Sequence, residues 1–223
     1  MNLTKQREFF DPSTVKERIH IVGCGSVGST VAENLARCGI MSFDLWDFDT
    51  VESKNICNQM FLEQQVGTEK VEALTDLLCA INPLISNTVK KHREGWNGRQ
   101  MSGYIFLCVD SIEIRRAIVE KVFNNMNVRA VFDFRTGLTT AQHYGADWSD
   151  LKQKENLKAS MEFSHEEAKA ETPTSACGEV LGVATTVRIV SALGVNNFIR
   201  FVKGEKIWKM VTVDAFNGEV EAF

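Results

Sequence analysis

Three glycines punctuate the segment Ile19-His20-Ile21-Val22-Gly23-Cys24-Gly25-Ser26-Val27-Gly28, which starts as an apolar strand and ends as a helix. A helix start carries unpaired N–H donors and a partial positive charge, so a glycine turn there suits a phosphate. Gly23 allows the tight turn, Gly25 a close approach of backbone to phosphate, and Gly28 close packing of helix on strand. Ser26 opens the helix. Asp47 ends a second apolar stretch roughly 20 residues on, the spacing at which a carboxylate reaches a ribose hydroxyl. Together these residues predict a nucleotide site. The glycines alone leave a nicotinamide- or flavin-dependent oxidoreductase and an adenylating enzyme equally open.

The elements that must position this site alternate along the chain. Ile19–Val22 reads as a strand and 26–38 as a helix with Val27, Val31, Leu35 and Cys38 on one side, stopped by Gly39. A strand over 42–47 follows, then an amphipathic helix over 69–80 ended by Asn82-Pro83, and a strand over 85–90. The run 103–109 is apolar enough for a strand buried on both faces, Ser111 caps a helix to about 124, and 128–134 is a further buried strand. This order predicts an α/β fold: a doubly wound, Rossmann-like, mostly parallel sheet with helices on both faces. Residues 138–146 read as another strand and 148–176 as a polar, mobile crossover loop with a short helix at 165–169. A helix over 177–193 and a hairpin of 207–213 with 219–222, turning at Asn217-Gly218, add antiparallel C-terminal strands.

With 223 residues, 44% hydrophobic and 24% charged, the chain suits one domain over 1–223 with a real core. The net charge of −4 gives no nucleic-acid footprint, and the patch Lys90-Lys91-His92-Arg93 reads as a solvated strand end. No apolar run approaches a membrane span and the first residues lack a secretory core, which predicts a cytoplasmic protein. The six cysteines form no Cys-x-x-Cys pair, so no zinc is expected. His20, His92, His143 and His165 have no evident partners in the sequence.

What separates the two enzyme classes follows Asp47. The segment Asp47-Phe48-Asp49-Thr50-Val51-Glu52-Ser53-Lys54-Asn55-Ile56-Cys57-Asn58-Gln59-Met60-Phe61, then Val66-Gly67-Thr68-Glu69-Lys70, resembles the ThiF/MoeB/HesA superfamily of ubiquitin-activating-type adenylyltransferases. The likeness continues through Cys108-Val109-Asp110-Ser111 with Arg115, and through Pro173-Thr174-Ser175-Ala176-Cys177. It implies adenylation of the C-terminal carboxylate of a small ubiquitin-like or sulfur-carrier protein by a compact bacterial- or phage-type homodimer. ATP and magnesium are the implied cofactors.

The resemblance assigns Lys70 to a phosphate, where position alone would read an exposed helix lysine. Asp110 follows a strand at the carboxyl edge of the sheet, and a hard carboxylate there suits a magnesium ion; the alternative is a helix cap, which Ser111 can also supply. Asp47 would hold the ribose, Asp49 would order the next turn, and Asn55 and Gln59 match positions that contact phosphate or the substrate tail. Cys177 is the implied thioester acceptor, its thiol favoured as thiolate at a helix start; the bland reading is a small packed residue. Asn58 departs from the family pattern, which has arginine there. Arg7, reaching a partner subunit's site, and Arg115 or Arg116 are the candidate substitutes. That departure also keeps open a non-catalytic nucleotide-binding scaffold.

Overall fold

The computed structural model describes residues 1–163, 174–176, 178 and 180–223. Strands β1 (Ile19–Val22), β2 (Phe43–Trp46) and β4 (Gly103–Leu107) are buried at every position, as parallel strands covered on both faces must be. With β3 (Lys90–His92), β5 (Val128–Thr136), β6 (Thr140–Asp147), β7 (Met210–Asp214) and β8 (Glu219–Ala222) they form one eight-stranded sheet. Its order is β3-β2-β1-β4-β5-β6-β7-β8. The first five strands run parallel, and β6, β7 and β8 are added antiparallel.

The chain leaves β1 toward β2 and β3, then returns to place β4 on the other side of β1. That reversal opens a crevice beyond the carboxyl ends of β1 and β4, where sheets of this kind take ligands. Helices α1 (Ser26–Arg37), α2 (Lys70–Ile81) and α5 (Ala184–Val202) pack on one face over Ile19, Phe43, Leu45, Phe106 and Phe132. Helices α3 (Ile112–Val122) and α4 (Leu151–Ala159) cover the other over Val22, Ile105, Leu107 and Val131. The predicted α/β architecture, with helices on both faces and antiparallel C-terminal strands, is the one observed.

Four local expectations are corrected. Residues 85–90 are not a strand: Asn82 accepts from Leu84 N–H and Pro83 opens a 3-10 turn over Pro83–Asn87, so pairing begins only at Lys90. Residues 148–176 are not loop throughout, because α4 is capped by Asp150 and anchored by buried Trp148, Leu157 and Met161. The last long helix starts at Ala184, leaving Val180, Leu181 and Val183 exposed ahead of it. The histidines do have partners. Trp46 Nε1–H donates to His20 Nδ1 at 3.2 Å, His92 Nε2 meets Asp44 Oδ1 at 2.7 Å, and His143 sits between Asp133 O and the Asn197 amide. His165, and the short helix expected at 165–169, lie outside the described residues.

The basic patch is likewise engaged. Lys91 pairs with Glu72 in α2 at 2.8 Å, and Arg93 with Glu69 just ahead of that helix at 2.8 Å. Among the described residues, no helix is long and apolar enough to cross a membrane.

Helix α5 closes on β5 at Gly194, where an added Cβ would stand 2.1 Å from the Phe134 ring. Gly194→Ala should therefore cost about 2 kcal/mol of stability by urea denaturation; a loss below about 0.5 kcal/mol would show that this contact yields easily. Burial holds His20 and His143 near pKa 4, below their ordinary 6.5. Each ring stays neutral in the fold while the unfolded chain takes a proton below about 6.5, so stability falls as pH drops through that window. From pH 7 to pH 5 the loss should be about 2 kcal/mol per ring, read from urea midpoints.

Candidate active site

Steric exclusion builds the turn after β1. Gly23 has φ +90°, and a side chain there would meet the Cys108–Val109 backbone at 2.8 Å. A Cβ on Gly28 would lie 1.8 Å from Gly23 O, so α1 can start only where position 28 has no side chain. Gly25 is the N-cap of α1 and provides no side-chain cap, which leaves the first-turn N–H donors directed into the crevice. Ser26 follows as the first helical residue, its carbonyl accepting from Thr30 Oγ1 at 2.8 Å.

Asp47 is fixed beside that turn. Its Oδ2 accepts from Cys24 N–H at 2.6 Å and its Oδ1 from Asp49 N–H at 2.9 Å. Burial raises its pKa above the usual carboxylate value, with the two backbone donors pulling the other way. Burial also pushes the thiols of Cys24 and Cys108 up, so neither is a ready nucleophile.

Gln59 lies over the turn, its Nε2 4.0 Å from where a Gly25 Cβ would be. Its Oε1 is buried and has no hydrogen-bond partner among the described residues. An orphaned buried amide oxygen is costly, and a ligand hydroxyl would satisfy it. Lys70 is the first residue of α2, where a cation opposes the helix dipole unless an anion attends it. Here Asp49 attends it: Lys70 Nζ donates to Asp49 Oδ2 at 2.8 Å, and Lys70 N–H donates to Asp49 O at 2.9 Å. The ammonium is nearly buried, whereas Asp49 is half exposed. The sequence reading of Lys70 did not include this partner.

Asp110 stands exposed just beyond β4, free of helix capping, since Ser111 Oγ accepts from Ile114 N–H at 3.2 Å. The two readings of Asp110 are thereby separated. Among the described residues no three His, Cys, Asp or Glu side chains gather to hold a metal. A cation here would thus rest on Asp110, ligand oxygens and water, a donor set that fits magnesium.

Other predicted residues are placed elsewhere. Asn55 folds onto its own turn, its Oδ1 accepting from Glu52 N–H at 2.9 Å. Asn58 Nδ2 donates to Gly182 O at 3.3 Å, tying the site loop to the segment that leads into α5. Arg7 is exposed, 3.9 Å from Asp11. Its neighbour Gln6 bonds to Arg37 O at the far end of α1, about 18 Å along that helix from the turn. Arg115 and Arg116 are not free phosphate cations. Arg115 is buried against Asp133 and the carbonyls of Leu107 and Val109, and Arg116 donates to the carbonyls of Met161 and Phe163. The signal for the first pair was present: an aspartate within the apolar strand Val131-Phe132-Asp133-Phe134 must find a buried cation. Cys177 lies outside the described residues, and the helix start assigned to it falls at Ala184.

A model of the ThiF family matches residues 13–223. The chain belongs to the ThiF family. Ubiquitin-like modifier-activating enzyme 5 of Caenorhabditis briggsae is 37% identical over 115 residues, covering 45% of this chain and 27% of that enzyme. The Rattus norvegicus enzyme of that name is 36% identical over 116 residues, covering 45% of this chain and 29% of its own. The chain thus spans less than a third of the length of these relatives. Among solved structures, Escherichia coli MccB with ATP superposes with TM-score 0.74 at 16% identity, covering 95% of this chain and 65% of that one. PaaA superposes with TM-score 0.72 at 16% identity and the same coverage. At such identity the likeness shows the fold of this ThiF-family chain.

Gly28→Ala tests the turn directly. Because backbone blocks the added methyl, nucleotide affinity should fall at least about tenfold by calorimetry while the far-ultraviolet spectrum is kept. Unchanged affinity would place the ligand away from α1.

Proposed function

We propose that this chain binds ATP in the crevice and adenylates the C-terminal carboxylate of a small ubiquitin-like or sulfur-carrier protein, or of a peptide. The orphaned Gln59 amide above an uncapped, glycine-lined helix start is the observation that carries the reading. A nucleotide brings what that site lacks: hydroxyl donors for the amide oxygen and phosphate acceptors for the N–H groups. Family membership supports it, as do two solved MccB structures of similar fold, one with ATP and one with AMPCPP and MccA.

In this reading Asp47 takes the ribose beside Gly23 and Gly25, and the triphosphate passes over the first turn of α1 toward Lys70 and Asp110. The substrate carboxylate attacks the α-phosphorus, the bond to the bridging oxygen breaks, and pyrophosphate leaves. Charge grows on phosphate oxygens, so the work of the residues is placement and electrostatic stabilisation. Lys70 brings an ammonium that Asp49 already holds in position. Asp110 would hold magnesium, which supplies charge neutralisation of the leaving pyrophosphate when bound. The tail would reach this point along β6 and β7, where exposed Gln142 pairs with half-buried Thr212.

Gly182, just ahead of α5, is tied to Asn58, which supports a place for residues 180–183 beside the bound phosphates. Cys177, in that crossover, would take the acyl group as a thioester with release of AMP, on the family likeness alone. A homodimer would bring Arg7 of one subunit to the other's site, since within one chain it lies remote. One observation favours a second reading, a non-catalytic nucleotide-binding relative: Asn58 is spent on Gly182 where a phosphate cation is expected.

Exchange of labelled pyrophosphate into ATP with candidate carriers separates these readings. Exchange should require magnesium and fall by about 100-fold or more in Asp110→Ala. ATP binding without exchange for any carrier supports the scaffold, and binding of NAD or FAD in place of ATP overturns both.

A further inference from the structure

We infer that Arg115 is a positioning residue: its guanidinium fixes the backbone ledge from which Asp110 projects and against which the glycine turn is pressed. The inference rests on the proposed role of Asp110. The ledge is the short run past the end of β4. It touches the turn closely, because the Cys108–Val109 backbone is what a Gly23 side chain would strike. The carbonyl of Leu107 belongs to the last paired residue of β4, and that of Val109 lies past the strand end. Arg115 takes both: Nη1–H donates to Leu107 O at 3.4 Å, and Nη2–H donates to Val109 O.

A planar fork holds two carbonyls in fixed relation only if the fork itself is held. Asp133, fully buried within β5, receives Arg115 Nη1–H on Oδ1 and Arg135 Nε–H on Oδ2, the latter at 2.7 Å. Arg135 in turn donates to Ser160 O at 2.7 Å and Ser160 Oγ at 2.8 Å, at the end of α4. The fork therefore bridges α3, β4 and β5 and is braced through Arg135 against α4. Asp110 lies one residue beyond the held carbonyl of Val109. Its backbone is pinned while its carboxylate is left open to ligand.

The same molecule supplies a control. At the opposite, amino end of the sheet Arg18 bonds Asp44, Phe43 O and Thr88 O, an equally braced fork that is remote from the crevice. Replacing either arginine by lysine keeps the charge and loses the fork, so a merely structural role would make the two variants alike.

The test titrates Mn²⁺ into the ATP complex of the full chain by electron paramagnetic resonance, beside pyrophosphate-exchange kinetics. Arg115→Lys should weaken Mn²⁺ binding by about 10- to 100-fold and lower kcat of exchange comparably, with KM for ATP within about threefold. Arg18→Lys should reduce stability and leave Mn²⁺ affinity unchanged. In an Asp110→Ala background, Arg115→Lys should weaken Mn²⁺ no further. Equal Mn²⁺ affinity in folded Arg115→Lys and wild type would overturn the inference, as would further loss without Asp110. Should Arg115→Lys not fold, Asp133→Glu displaces the fork by one methylene and must show the same Mn²⁺ weakening, or the inference fails. A wild-type protein that takes up no ATP refutes the proposed function instead, which keeps the two failures apart.

Discussion

The contact between Gly28 and the Gly23 carbonyl sets the geometry of everything near the crevice. With only 1.8 Å left for a Cβ, α1 begins closer to β1 than any side chain would permit. That closeness aims the helix N-terminus at the space beyond β1 and brings Cys24 N–H within reach of the Asp47 carboxylate. On its other side Gly23 rests against the backbone that follows β4. Turn, helix dipole, Asp47 carboxylate and Asp110 ledge are thus consequences of one backbone packing, with no flexible side chain in between.

The carboxylates around the crevice are held to different degrees, and the differences suit different tasks. Asp133 is buried between two arginines and is committed to structure. Asp47 is fixed by two backbone donors but keeps lone pairs free, since an ionised carboxylate accepts about four hydrogen bonds. Asp49 restrains the Lys70 ammonium from a half-exposed position, where an incoming phosphate can share the cation. Among the described residues Asp110 alone of the four has no side-chain hydrogen-bond partner, with Ser111 taking the capping role. A site whose cations and dipoles are set in advance needs little reorganisation as charge develops.

Much of the fold was legible because parallel strands and glycine turns leave local marks. The buried runs of β1 and β4, the Gly23-Gly25-Gly28 spacing and the Ser111 cap each depend on residues close in sequence. What was missed depends on distance or on weak pattern. Helix α4 buries only Leu157 along its length, so its apolar period is faint. Residues 85–90 alternate enough to suggest a strand, but Ile85 is buried by the 3-10 turn over Pro83–Asn87 and not by pairing. Arg115 meets Asp133, and Asn58 meets Gly182, only after the sheet and crossover are assembled. Lys70 is named from the family likeness, but its counter-ion stands 21 positions away and reads in the sequence as a turn former.

A crystal of the protein grown with a non-hydrolysable ATP analogue tests the central claim most directly. The account predicts ribose hydroxyls on Asp47, the Gln59 amide oxygen satisfied by the nucleotide, and phosphates across the first turn of α1 with the outer pair beside Asp110. An empty crevice, or a nucleotide whose phosphates turn away from α1 and Asp110, would contradict it.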